Sequence, residues 1–205
     1  AAVYHMADHE LILLGEQALH NSYDQLQKVR WGILSDSVPA VCFCGASADG
    51  LSTLTVLTCQ DSRLTEVTPE QELSGAPPIH GSYLTPEDLT GDGYLEFPVA
   101  RQLPAYDDGA VAQWVEDWYA MNSKGKCKAE FSTYLSDDWY LELPEPWQTS
   151  LVIKSVDESV NVSTVILYRL QGKNEPKEIL TIYTLRGDQR QEYVEAHSLT
   201  ILKSD

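Results

Sequence analysis

The stretch Asp88-Leu89-Thr90-Gly91-Asp92-Gly93-Tyr94-Leu95-Glu96 constrains the fold more than any other part of the chain. Oxygen-bearing side chains fall at its positions 1, 3, 5 and 9, with glycine at position 6. Such alternation aims successive side chains at one centre only if the backbone turns tightly. Gly93 allows that bend, because a residue without Cβ tolerates positive φ. A calcium ion takes about six to eight oxygens at about 2.3–2.6 Å. The spacing predicts Asp88, Thr90, Asp92 and Glu96 as side-chain ligands and the backbone carbonyl of Tyr94 as a further one. Glu96 comes ninth rather than twelfth, and no helical periodicity flanks the loop, so this is not an EF-hand. A strand-like run from Glu96 to Ala100 follows at once, so the loop must feed a sheet.

The rest of the sequence reads as short β-like runs bounded by turn residues. Pro39–Cys44 and Leu51–Cys59 flank Ala48-Asp49-Gly50 as a hairpin. Gln113–Met121 and Cys127–Leu135 flank Asn122–Lys126 as another, although Trp114, Trp118 and Tyr119 also fit a helix face. Leu11–Leu14 fits either a buried strand or a helix stripe. Thr65–Gly81, with Pro69, Gly75, Pro77 and Pro78, reads as a connector, and Gln102–Gly109 as a loop. Beyond Asp137 come Trp139–Leu143 and runs at Ser150–Val156, Asn161–Leu170 and Glu178–Leu185. A short helix is predicted over Asp188–His197, capped by Asp188, and a last strand over Ser198–Lys203. The fold class is therefore mainly β, or α+β with little α, built from antiparallel sheets. A 56-residue shift lays Gly32–Phe43 over Asp88–Val99, but of the ligand positions only Asp36 keeps its counterpart, Asp92.

The 205 residues carry 14 Lys and Arg against 31 Asp and Glu, a net charge of −17. A chain so acidic is a poor partner for nucleic acid or an anionic membrane. The charge is uneven: residues 1–150 hold 7 basic and 23 acidic side chains, and residues 151–205 hold 7 and 8. No apolar run approaches the ~20 residues of a membrane span, so contact with a membrane is expected only through a removed N-terminal lipid anchor. Cys42, Cys44, Cys59 and Cys127 form no CxxC pair. Cys42 and Cys44, two apart, lie on one face of a strand and do not easily bond each other, while a bridge from either to Cys59 and free buried thiols both remain open.

Motifs of catalysis are missing from the sequence. Gly45-Ala46-Ser47-Ala48-Asp49 lacks the final glycine of a nucleophile elbow, and His5, His9, His20, His80 and His197 are scattered. The acid pairs Asp107-Asp108, Glu116-Asp117 and Asp137-Asp138 read as solvated turns or as residues on opposite strand faces. Trp114, Trp118, Trp139 and Trp147 suit a core better than a ligand platform. No enzyme is expected. The alternatives are a secreted glycan hydrolase using two carboxylates of the acidic half, and a protein-interaction module.

The nine-residue loop followed by a strand is similar to the calcium loops of FG-GAP (integrin-type) propeller blades and VCBS-type repeats, with Thr90 where those families more often carry Asp or Asn. The order DLTGDGYLEFP, Trp114 and Trp118, Asp138–Trp147 and Leu180–Leu185 resembles extracytoplasmic lipoproteins of clostridia-type, Gram-positive gut bacteria. The resemblance implies a propeller-blade-like region over residues 1–136 and a small antiparallel sheet with one helix over 137–205, the latter PsbP-like by analogy. It also implies an extracytoplasmic location, a structural calcium ion, and an unidentified protein or glycan partner.

Overall fold

The computed structural model describes residues 1–7, 9–60, 63–75, 84–172 and 174–202. Among them lie thirteen strands, one 3₁₀ turn and one α-helix, arranged in four sheets with antiparallel pairing. The protein is mainly β, as the sequence predicts. It divides into two compact units, one of residues 1–101 with 114–143, the other of residues 102–113 with 144–205.

The first unit begins with a hairpin of β1 (Ala2–Ala7) and β2 (Glu10–Glu16). Leu11–Leu14 is thus strand rather than helix, and Leu11, Ile12 and Leu13 are exposed rather than buried. Next come β3 (Gln25–Ile33), β4 (Pro39–Ala46), β5 (Ser52–Gln60) and β6 (Arg63–Val67), hydrogen-bonded in chain order as a four-stranded meander. The hairpin around Asp49-Gly50 forms as predicted, with Cys42 opposite Val56 and Cys44 opposite Leu54. Three strands escape the sequence pattern, β1 among them. β3 is exposed over most of its length and so carries no apolar alternation to read. β6 enters the stretch that reads as connector, whose residues 76–81 lie outside the described residues.

A second meander in this unit holds β7 (Glu96–Gln102), β8 (Trp114–Met121), β9 (Cys127–Leu135) and β10 (Tyr140–Glu142). β10 pairs with β9, Tyr140 opposite Leu135, so Trp139–Leu143 belongs to this sheet and not to the tail. The seam therefore falls after Leu143 rather than at 136/137. Leu34, Cys42, Cys44, Leu54, Val56 and Val67 pack with Leu95, Phe97 and Met121 in one core shared by both meanders. Asp36 holds no loop of the acidic kind. Its carboxylate accepts the Ser123 hydroxyl at 2.6 Å and the Ser123 amide at 3.1 Å, tying the β3–β4 turn to the β8–β9 turn. Gly125 in that second turn has φ +80°, and a Cβ there would fall 1.9 Å from the Thr68 carbonyl oxygen.

The second unit is a three-stranded meander of β11 (Leu151–Ser159), β12 (Val162–Gln171) and β13 (Asn174–Leu185). Leu151, Val152, Ile153, Val165 and Leu167 are buried. Tyr106 of the 102–113 segment packs against Tyr168 with ring centroids 4.6 Å apart, and the Lys154 ammonium lies 5.1 Å from its ring. The helix α1 (Arg190–His197) begins two residues later than predicted. Gln189, not Asp188, is its N-cap, without a side-chain cap bond. Ser198 ends it in the left-handed conformation at φ 53°. That reversal leaves residues 199–202 irregular, so no strand forms there; Lys203 lies outside the described residues.

Candidate metal centre

The acidic loop closes on itself through a two-way backbone bridge. The Glu87 amide donates to the Glu96 carbonyl at 3.1 Å and the Glu96 amide to the Glu87 carbonyl at 2.8 Å. The Leu95 amide donates to the Ile33 carbonyl at 2.8 Å, fixing the loop's end to β3. Gly91 and Gly93 have φ +75° and +90°, the left-handed region that the tight bend requires. With those turns the loop's amides face inward. Asp88 accepts Gly91 at 2.8 Å on Oδ1 and Gly93 at 3.1 Å on Oδ2, and Asp92 Oδ1 accepts Tyr94 at 2.9 Å. Glu96 Oε2 accepts the Leu89 and Thr90 amides at 2.8 and 3.3 Å, and Oε1 accepts the Thr90 hydroxyl at 3.1 Å.

Carboxylate oxygens of Asp88, Asp92 and Glu96 lie within 4.8 Å of one another, a group able to hold a metal ion. Asp88 and Asp92 are exposed, whereas Glu96 is only 2 % exposed. None of the three makes an ion pair with a described Lys or Arg. Lys28 (3.4 Å) and Arg30 instead take the neighbouring Glu87. An ionised carboxylate offers about four acceptor directions, so even Glu96, with three donors, keeps one for a cation. Of the five residues predicted from spacing, Asp88, Asp92 and Glu96 come together. Thr90 reaches the group as a donor to Glu96. Tyr94 contributes its amide to Asp92, and its hydroxyl sits 3.3 Å from Ser37 Oγ.

The other chemistry-bearing side chains are dispersed. Cys42, Cys44, Cys59 and Cys127 are free thiols, and Cys42 and Cys44 are buried. Burial pushes the Cys44 thiol up to about 11 and raises Cys42 as well, so neither supplies a thiolate ligand. His9 is exposed beside β1 and β2 rather than on a helix, and His80 lies outside the described residues. Trp118 is core: it is buried, donates its indole N–H to Thr133 Oγ1 at 2.9 Å, and lies nearly parallel to Phe131 at 6.0 Å. The exposed tryptophan is Trp31, at 82 %, which no pattern in the sequence singles out.

Glu116 and Asp117 do point to opposite faces of β8. Asp117 receives Arg101 Nε at 2.5 Å, Nη2 at 2.9 Å and the Ser132 hydroxyl at 2.6 Å. Glu116 is 7 % exposed and accepts a hydrogen bond from no described residue. Burial, with the Glu87 charge second, raises its carboxyl from 4.5 to about 7. No spacing signal marks Glu116, because its environment is made by residues distant in sequence.

Comparison with protein-family models, with curated proteins and with solved structures finds no match.

Proposed function

We propose that the chain is a calcium-stabilised module of an extracytoplasmic bacterial surface protein, acting by binding or as a scaffold rather than as an enzyme. The observation that carries this reading is the convergence of Asp88, Asp92 and Glu96 without a positive partner among the described residues. Three like charges within 4.8 Å repel one another. A divalent cation turns that repulsion into attraction, and the donor set is all oxygen, the preference of calcium rather than of zinc. Asp88, Asp92 and Glu96 would hold the ion, with Thr90 and Tyr94 adding neutral oxygens. Its chemistry there is structural: it cross-links the loop that leads into β7. The similarity of the loop to FG-GAP and VCBS repeats supports the extracytoplasmic location, where calcium is plentiful.

A thermal melt with EDTA and with excess calcium, on wild type and Asp92→Ala, tests the reading. Calcium at 100-fold over its Kd stabilises a one-site protein by about 2.7 kcal/mol. The wild type should gain that much and the variant almost nothing. Equal melting of both proteins in EDTA and in calcium would leave the loop a turn and remove the reading.

A further inference from the structure

Beside the acidic loop the first unit carries an open groove of about 660 Å³, within the range of about 300–1,000 Å³ usual for small-ligand sites. Its lining includes Leu89 and Glu87 from the loop segment, Lys28 of β3, and Glu116, Trp118 and Tyr140 of the second meander. Glu116 is more than nine-tenths buried, its remaining exposure opens into this groove, and no described donor meets its carboxyl. A ligand hydroxyl entering the groove would find that carboxyl free to accept it. Tyr140 stands at the rim 72 % exposed, a rigid aromatic face open to a ligand.

The charges argue for a neutral ligand. Within the lining Lys28 is paired with Glu87, which leaves Glu116 as the one other acidic side chain of the groove. An anion would face two carboxyl groups, and a cationic peptide would have to displace Lys28 from Glu87. A ring with one apolar face and several hydroxyls meets none of these conflicts: its face suits an aromatic side chain, and its hydroxyls both donate and accept. We propose that this groove binds a neutral carbohydrate, with Tyr140 against a ring face and Glu116 and Glu87 accepting its hydroxyls. The proposal rests on the binding role proposed above, and not on the calcium ion.

The test is calorimetric titration of the whole chain with cellotetraose, xylotetraose, chitotetraose, mannotetraose and maltotetraose, with tetralysine as a cationic control. At least one sugar should bind, and Tyr140→Ala and Glu116→Gln should each weaken it at least about tenfold. Tyr140 is exposed and Gln is isosteric with Glu, so both variants should retain the wild-type circular dichroism spectrum. Failure of every sugar, binding of tetralysine alone, or sugar binding that both variants leave unchanged would each overturn the proposal. Running the calcium melt on the same samples separates the two readings. A protein that responds to calcium but binds no sugar refutes the groove alone, and one that binds sugar without a calcium response refutes the metal centre alone.

Discussion

Two glutamates of the first unit, Glu96 and Glu116, are buried to nearly the same degree and kept in opposite ways. Glu96 sits at the end of the acidic loop, where two amides and a hydroxyl donate to it. Glu116 sits on β8 with no described donor and the Glu87 charge nearby. Burial takes both carboxyl groups out of water, and hydrogen-bond donors compensate only the first. Asp117, one residue beyond Glu116 on the other face of the strand, gives the same lesson through a guanidinium and a hydroxyl. The loop is built around carboxylates; the groove is left with one that its surroundings do not serve.

Glu96→Ala should break the first half of the contrast most strongly. It removes the acceptor of the Leu89 and Thr90 amides, which water replaces only in part, and empties a fully buried side-chain volume, so that a cavity cost adds to the lost hydrogen bonds. Urea unfolding in EDTA should register a loss of about 4 kcal/mol. A loss below about 1 kcal/mol would mean that water replaces the glutamate without penalty and that the loop does not depend on it.

Glu116→Gln should act in the opposite direction, and only at high pH. With its carboxyl raised from 4.5 to about 7 in the fold, the folded protein holds a proton that the unfolded chain has released. Stability from this group is therefore intact below about pH 4.5, declines as pH rises toward 7, and stays low above it. Each tenfold gain in proton affinity is worth about 1.4 kcal/mol, which puts the full effect between about 2 and 3 kcal/mol once residual solvent screening is allowed for. Glu116→Gln removes the slope. Denaturant midpoints should coincide for the two proteins at pH 4 and favour the variant at pH 8. If the variant is less stable at pH 8, an unrecognised donor holds the carboxylate, and the contrast with Glu96 disappears.

What was legible in the sequence depends on where each environment comes from. The loop was legible because its carboxylates, its glycines and its donors all lie within nine residues, so spacing fixes the geometry. The hairpins around Asp49-Gly50 and Asn122–Lys126 were legible for the same reason: turn residues sit next to the runs they join. β3 was not, since an exposed strand has no buried face to mark it. β10 reads as a strand in sequence, but only its pairing with Leu135 assigns it to the first unit. The groove was least legible. Gln27, Glu87, Glu116 and Tyr140 come from four separate segments, and no local pattern forecasts that tertiary packing brings them together.

The smallest effect tests the fine structure of the loop. Thr90 stands at the third position of the loop, and its hydroxyl donates to Glu96 Oε1 at 3.1 Å. Thr90→Val keeps the shape and deletes that one bond, leaving both amide donors on Oε2. The residue is exposed, so water can replace the hydroxyl, and the cost in EDTA should be only about 0.5–1 kcal/mol. In calcium the cost should be larger if the hydroxyl oxygen also faces the ion, because a ligand and a support are then lost together. Chemical denaturation of wild type and Thr90→Val in both conditions makes the distinction. An equal cost with and without calcium assigns Thr90 to the support of Glu96 alone and reduces the side-chain ligand set to the three carboxylates.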